Sequence, residues 1–156
     1  MFAYINTVGG IVMRNINDGK HPEIRDYGAN PFVFNIDHAT KMNENFRTTL
    51  WTGKYMQLTL MSIPEGSDIG VEMHSDVDQF IRVEGGSAKV LLGNTQNALR
   101  EVGYVNDNYA IIIPAGTWHN IVNVGKEALK VYSIYAPPKH PFGTVHVTKE
   151  DSEHDH

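Results

Sequence analysis

Two stretches decide the fold: PEGSDIGVEMHSDVDQFIRVEGG, residues 64–86, and IIIPAGTWHNIVN, residues 111–123. The first opens on a turn-forming Pro-Glu-Gly and then sets ionisable and amide side chains among the apolar residues of a β-type run. In the second, an apolar run ends at a Pro-Ala-Gly turn and resumes around His119. Buried ionisable groups are costly unless they are paired, hydrogen-bonded or bound to a metal, so the direction of these side chains bears on function.

The composition of the whole chain restricts the classes of partner. The 156 residues, 41% of them hydrophobic, suit one globular domain. The formal charge of −5 is spread along the chain, which predicts no nucleic acid partner. Since there is no cysteine, a metal would be held by His, Asp, Glu, Asn or Gln. The sequence shows no secretory signal and no run near the roughly 20 apolar residues of a membrane span, which predicts a cytoplasmic protein without a membrane partner.

The pattern along the chain predicts an all-β protein. Residues 1–31 mix apolar patches with turn formers and are predicted to be an N-terminal arm or peripheral strands. Residues 32–136 are predicted to form a barrel or two-sheet sandwich, because β-type runs alternate with turn residues. The runs are FVFNI, TTLW, YMQLTLMSI, DQFIRV, SAKVLL, YAIIIP, HNIVNV and LKVYSIYA. Residues 137–156 open on PPKHPFG and are predicted to be a C-terminal tail.

The two stretches resemble the two signature motifs of the cupin superfamily. The first motif is a glycine, five residues, His-x-His, three or four residues, Glu, six residues and Gly, and the chain follows it from Gly66 with Glu72 in place of the first His. The second motif, Pro-x-Gly, two residues, His, three residues and Asn, matches at Pro114, Gly116, His119 and Asn123, with Asn108 in place of its usual opening glycine. The resemblance implies a double-stranded β-helix, or jelly-roll, barrel with metal ligands at the motif positions.

The residue at the glutamate position of the first motif is either Asp78 or Gln79, depending on which of two adjacent glycines closes the motif. Alternate side chains on a strand face opposite sides, so an inward Gln79 brings Ile81 and Val83 inward with it. An inward Asp78 would instead bury Arg82 and expose those two apolar residues, which costs more. The predicted metal ligands are Glu72, His74, Gln79 and His119.

This mixed set of nitrogen and oxygen donors suits one divalent metal ion per chain, Mn, Fe, Ni, Co or Zn. A metal-free barrel with hydrogen-bonded polar residues is the alternative. With a metal, we predict an enzyme that acts on a small oxygenated, sugar-like or sugar-acid-like substrate by Lewis-acid-assisted isomerisation or tautomerisation. The ligand spacing is also similar to that of the uronate-linearising cupins of pectin and alginate catabolism. An Fe(II)-dependent dioxygenase and a non-catalytic small-molecule sensor are the other hypotheses.

Further residues could contact a substrate, and each also has a plainer interpretation. The predicted substrate contacts are Arg47, Gln57, Thr59 and Trp118. Arg47 would bind a carboxylate, although an isolated Arg near a strand start is usually a solvated charge. Glu72 is the one candidate for a catalytic base, provided that it releases the metal.

Two features near the ends of the chain concern the surroundings of the site and the assembly. Tyr132 and Tyr135 lie on opposite faces of LKVYSIYA, so at most one of them faces the barrel interior. His140 and His146 in the C-terminal tail could cover the site, form a dimer contact or remain free. The apolar patches of the arm predict a homodimer in which residues 1–31 pack on the neighbouring barrel.

Overall fold

The computed structural model describes residues 6–8, 11–13 and 23–154. Its strands are β1 (Asn6–Val8), β2 (Ile11–Met13), β3 (Phe32–Val33), β4 (Arg47–Thr52), β5 (Gln57–Ile63), β6 (Asp78–Gly85), β7 (Ala88–Gly93), β8 (Arg100–Val105), β9 (Ala110–Ile113), β10 (Trp118–Asn123), β11 (Leu129–Ala136) and β12 (Val145–His146). Its helices are α1 (Ile36–Met42) and α2 (Lys149–Glu153). No helix within the described part of the chain is both long enough and apolar enough to cross a bilayer.

Two antiparallel sheets enclose the core. One has six strands in the order β12-β4-β5-β11-β6-β9, and the other has three in the order β10-β7-β8. Their facing sides share one apolar cluster, to which β6 contributes Ile81 and Val83 and β10 contributes Ile121. The prediction of an all-β jelly-roll barrel is confirmed. The strands β1, β2 and β3 form a third, separate sheet.

The inward positions of the large sheet change from apolar to polar along its strands. On β11, Leu129 and Val131 belong to the core cluster, whereas Ser133 and Tyr135 follow at the next inward positions. The pairing carries this division across the sheet, because Leu129 lies opposite Ile63 whereas Tyr135 lies opposite both Gln57 and Gln79. The polar inward residues of three strands therefore gather at one end of the barrel. We call this region the polar end; its inward side chains are Thr59, Gln79, Ser133 and Tyr135.

The outer face of the large sheet is covered by the segment that precedes the barrel. α1 and the aromatic residues before it pack on a second apolar cluster that includes Leu58, Leu60 and Tyr132. The run FVFNI, predicted as a barrel strand, forms only the two-residue β3, which pairs in parallel with β2. The strand stops there because Asn35 caps α1, its side chain accepting a hydrogen bond from the backbone N–H of His38 at 3.0 Å.

The strands of the large sheet begin at Arg47, and apolar side chains between Phe32 and Ala39 pack against its outer face. Most of the arm predicted over residues 1–31 lies outside the described residues, and its boundary stays a prediction. Two strands carried too weak a signal to be expected from the sequence. β8 is mostly exposed, and β12 has only two residues at the sheet edge.

The C-terminal segment returns to the barrel. β12 pairs antiparallel with β4, and α2 is held to the barrel by the ion pair of Lys149 with Asp68. Upstream of β12, Gln57 fixes the chain in place: its Oε1 accepts the backbone N–H groups of Lys139 and His140 at 3.1 and 2.9 Å, and its Nε2 donates to the His140 carbonyl at 2.8 Å. These contacts bring two histidines of this segment close to the polar end.

Candidate metal centre

Backbone pairing brings the two motifs together. Glu72 lies beside His119 in an isolated antiparallel bridge, with backbone N–H to carbonyl distances of 3.0 and 2.9 Å. The His74 carbonyl accepts the backbone N–H of Gly116 at 2.7 Å. Gly116 has a φ of +83°, which glycine adopts without steric cost. Backbone hydrogen bonds thus fix the positions of Glu72, His74 and His119 in the chain.

The ligand atoms of Glu72, His74 and His119 all lie within 4.8 Å of one another. Glu72 Oε1 lies 3.2 Å from His119 Nε2 and 3.4 Å from His74 Nε2. Burial alone would raise the pKa of Glu72, but the two imidazoles beside it, in their protonated form, outweigh burial and hold that pKa well below its ordinary value. Glu72 is therefore a carboxylate in the folded protein.

The hydrogen bond of His119 to Thr117 determines which ring nitrogen carries the hydrogen. Nδ1 lies 3.0 Å from the Thr117 carbonyl, and since a carbonyl oxygen only accepts, Nδ1 carries the hydrogen. In a neutral ring, Nε2 then presents its lone pair to Glu72 Oε1. Two acceptors at 3.2 Å repel each other unless a proton or a metal cation lies between them.

Gln79 lies on β6 opposite Tyr135, whose ring centroid is 5.8 Å from that of His74. Its side chain is 2% exposed, and its Nε2 donates to Ser133 Oγ at 3.3 Å. Its Oε1 is buried and finds no hydrogen-bond partner among the described residues, and the same holds for Nε2 of His74. Asp78 instead points outward, where its carboxylate accepts the backbone N–H of Ala115 at 2.9 Å. The inward direction of Gln79 agrees with the alternation of side chains expected along this strand. Its role as a ligand stays a prediction.

These residues fit a divalent cation. A buried polar atom without a partner costs about 1–3 kcal/mol, and Gln79 Oε1 and His74 Nε2 are both in that state, the second of them 3.4 Å from Glu72 Oε1. Imidazole nitrogen together with carboxylate and amide oxygen is the donor chemistry that divalent transition metals accept. The ion would be held by Glu72, His74 and His119, with Gln79 as the fourth ligand.

Of the four predicted substrate contacts, two lie at the polar end with polar groups that have no partner in the described part of the chain, and two do not. Thr59 and Arg47 are buried at the polar end, at 0% and 5% exposure. Gln57 is also buried, but its amide is used by the C-terminal segment and by Thr52, which accepts from Nε2 at 2.9 Å. That set of partners leaves Gln57 no hydrogen-bonding capacity for a ligand. Trp118 is adjacent to His119 on β10, so its side chain faces the opposite side of the strand.

Three aromatic side chains extend the site beyond the predicted residues. Tyr135, 1% exposed, is the tyrosine that faces inward; its ring centroid lies 5.8 Å from that of His74 and 5.3 Å from that of His140. His140 in turn lies 6.4 Å from His146. The inward direction of Tyr135 could have been inferred from the alternation in LKVYSIYA, because Val131 shares its face. Of the three placements that the sequence left open for His140 and His146, the structure shows the one next to the site.

Two asparagines explain other parts of the second motif. Asn108 has a φ of +73°, so the position where the motif usually has glycine keeps the left-handed conformation, which Asn tolerates. Asn123 Nδ2 donates to the carbonyls of Ile63 and Glu127 at 3.0 and 2.8 Å. The motif asparagine thus fixes the end of β10 to neighbouring backbone rather than contacting the metal cluster.

Comparison with known proteins agrees with this fold. The family model described as "Cupin domain" matches residues 59–135. The uncharacterized protein YrkC of Bacillus subtilis (strain 168) is 52% identical over 143 residues, which cover 92% of this chain and 77% of YrkC. The crystal structure of BH2720 from Bacillus halodurans is 54% identical with a TM-score of 0.82, and the match covers 83% of this chain and 98% of that one.

The protein has the jelly-roll barrel and the His-containing cluster that define a cupin with a possible metal site. The chain belongs to the cupin superfamily. KdgF from a Halomonas species is similar at the level of the fold, with 19% identity and a TM-score of 0.51 over 60% of this chain and 78% of that one.

Proposed function

We propose that the protein is a metal-dependent enzyme that isomerises or tautomerises a small oxygenated substrate of the sugar or sugar-acid type. The observation that carries the metal dependence is the contact of Glu72 Oε1 with His119 Nε2 at 3.2 Å, which needs a proton or a metal cation between the two atoms. Mn, Fe, Ni, Co and Zn are all compatible with these ligands. A bound divalent ion would supply Lewis-acid polarisation of a substrate carbonyl or hydroxyl.

The chain's own residues supply positioning and proton chemistry around that centre. Burial raises the pKa of Tyr135 to about 12, so its phenol keeps its proton and can donate a hydrogen bond to a substrate oxygen beside His74. The depressed pKa of Glu72 makes this carboxylate a weak base while both imidazoles hold it. We therefore assign Glu72 to the metal and propose that it acts on a proton only when it is released.

A second function has an observation of its own. Glu72, His74 and His119 form a set of two histidines and one carboxylate, which is the ligand arrangement of non-haem Fe(II) oxygenases. If Gln79 does not bind the metal, more positions stay open for dioxygen and a bidentate substrate. This is the basis for an Fe(II)-dependent dioxygenase as the alternative.

The functions are separated by metal analysis followed by two activity assays. Protein purified without an affinity tag is analysed for bound metal, stripped, and titrated with each of the five ions by calorimetry. The reloaded protein is then incubated with unsaturated uronates, aldoses and keto acids and followed by NMR, in parallel with an oxygen electrode. Isomerised product without oxygen uptake supports the first function, and Fe(II)-dependent uptake supports the second. Protein unaffected by any divalent ion would contradict both.

We also propose a cytoplasmic homodimer in which residues 1–31 pack on the neighbouring barrel. Both edge strands of the large sheet, β9 and β12, present apolar side chains to solvent: Ile112 is 70% exposed on β9, and Val147, just after β12, is 61% exposed. Exposed sheet edges favour pairing with another chain. Light scattering at micromolar concentration should return twice the mass of one chain, and deletion of residues 1–22 should lower it to one. A full-length monomer would contradict the proposal.

A further inference from the structure

The buried polar atoms without partners are concentrated in one part of the molecule. Among the described residues, six buried side-chain nitrogen or oxygen atoms lack a hydrogen-bond partner. Two of them, on His74 and Gln79, belong to the candidate metal centre. Three others lie on Arg47, Thr59 and His140, around Tyr135. Each such atom costs about 1–3 kcal/mol of stability. Their clustering therefore indicates a place where a polar ligand supplies the missing hydrogen bonds.

Arg47 is the strongest of these groups. Arg47 is 5% exposed. Its guanidinium forms no ion pair with a carboxylate within the described residues. Nη1 donates to His146 Nδ1 at 3.1 Å, and Nη2 lies 4.0 Å from Met61 Sδ. Nε has no partner among the described residues. A guanidinium is always ionised, so this positive charge is buried without a carboxylate in contact with it in the described part of the chain.

The described side chains around Arg47 place no carboxylate in contact with it; the Glu72 carboxylate acts on Tyr135 and His140 from the side of the metal centre. Burial, together with the charge of Arg47, lowers the pKa of His140 to about 3, so this imidazole is neutral. His140 and Thr59 therefore offer polar groups without an opposing charge. The two residues are placed rigidly, because Gln57 holds the backbone at His140 and Thr59 lies within β5 opposite Ser133.

Tyr135 connects this region to the metal centre. Its ring lies edge-on to His74 on one side and to His140 on the other, at centroid distances of 5.8 and 5.3 Å. A ligand that contacts Arg47 and His140 therefore has its other end within one side chain of the metal cluster. This is the scale of a small molecule that carries an acid group at one end and a reacting oxygen at the other.

We propose that Arg47, with Thr59 and His140, forms a subsite for the carboxylate of the substrate. The inference rests on the proposed function, since it identifies the substrate of that site as a carboxylic acid rather than a neutral sugar. The carboxylate would accept from the guanidinium, including Nε, in a paired arrangement, and it would supply the negative charge that Arg47 lacks.

The test uses the full chain and two probes, D-glucuronate and D-glucose, which differ at the carboxylate. In metal-free protein, calorimetry and thermal unfolding should show binding of glucuronate, with glucose at least about tenfold weaker. Arg47→Gln should lower glucuronate affinity about tenfold and leave glucose unchanged. Arg100→Gln removes the same charge from an exposed site on β8 and should leave glucuronate binding unaltered. Arg47→Lys keeps the charge without the planar fork and should give an intermediate loss, which also serves if the Gln variant does not fold.

The ligand-free variants test the subsite in a second way. Because Arg47 is an uncompensated buried charge, ligand-free Arg47→Gln should unfold at the same temperature as the wild type or at a higher one. A large drop in that temperature, together with equal affinity for glucuronate and glucose in the wild type, would overturn the subsite and assign Arg47 a packing role. Metal affinity is measured alongside. Glucuronate binding without metal binding would remove the proposed function and keep the subsite, whereas metal binding without a preference for glucuronate would do the reverse.

Discussion

Replacement of His119 by alanine should weaken binding of a divalent metal at least about 1,000-fold. Loss of an outer partner of a metal ligand typically costs about 10- to 100-fold in affinity, and a direct imidazole ligand should cost more. His119 is fully buried, and its Nδ1–H bond to the Thr117 carbonyl directs Nε2 at Glu72. Water has no equally fixed position from which to replace that nitrogen.

The effect is measured as stabilisation by metal as well as by calorimetry. At a free metal concentration of 1,000 times the wild-type dissociation constant, binding adds about 4 kcal/mol to the free energy of unfolding. A variant whose affinity is 1,000-fold weaker gains only roughly 0.4 kcal/mol at that concentration. Chemical denaturation with and without metal therefore gives a clear difference, and it also shows whether the metal-free variant is folded.

His154→Ala is the matched control. This histidine is exposed and caps the end of α2, so its removal changes the number of histidines but not the barrel interior. We expect its metal affinity to remain within about twofold of the wild type, because an exposed histidine lacks the packed surroundings of a tight site. If His154→Ala lost the metal and His119→Ala retained it, the ion would bind outside the barrel.

The part of this site that the sequence predicted is the part governed by local geometry. The alternation of side chains on β6 placed Gln79 inside with Ile81 and Val83, both of them fully buried. That argument uses only neighbours within one strand. Likewise, Glu72 and His74 are two residues apart and share a direction, and the second motif positions His119 opposite Glu72 through backbone pairing.

The part that the sequence did not predict depends on contacts between distant segments. An arginine at the start of a strand is usually a solvated surface charge. Arg47 is buried instead, because β12 pairs with β4 and brings His146 against it. Gln57 was expected near a ligand, yet it binds the backbone at residues 139 and 140. Neither pairing follows from a periodic pattern, because the partners are separated by more than eighty positions and meet only in the finished fold.

Gln79→Ala should weaken metal binding between about 10- and 100-fold, whereas Asp78→Ala should leave it nearly unchanged. As a carboxylate, Asp78 is the stronger donor to a cation, and it also satisfies the shorter spacing of the motif. Its direction decides against it: Asp78 is exposed and accepts the Ala115 N–H, whereas Gln79 Oε1 is buried at the polar end without a partner in the described part of the chain. An oxygen that faces solvent cannot reach the ion without turning the strand over, which would bury Arg82.

A third variant separates ligation by Gln79 from packing. Gln79→Leu keeps most of the side-chain volume and removes only the amide, so a ligand role predicts that it loses as much metal affinity as Gln79→Ala. A packing role predicts instead that Leu preserves the affinity and Ala lowers it through the cavity that it leaves. Calorimetric titration of the three variants with one metal gives the comparison. Retained affinity in both Gln79 variants, with loss in Asp78→Ala, would mean that a local change of register brings Asp78 to the metal.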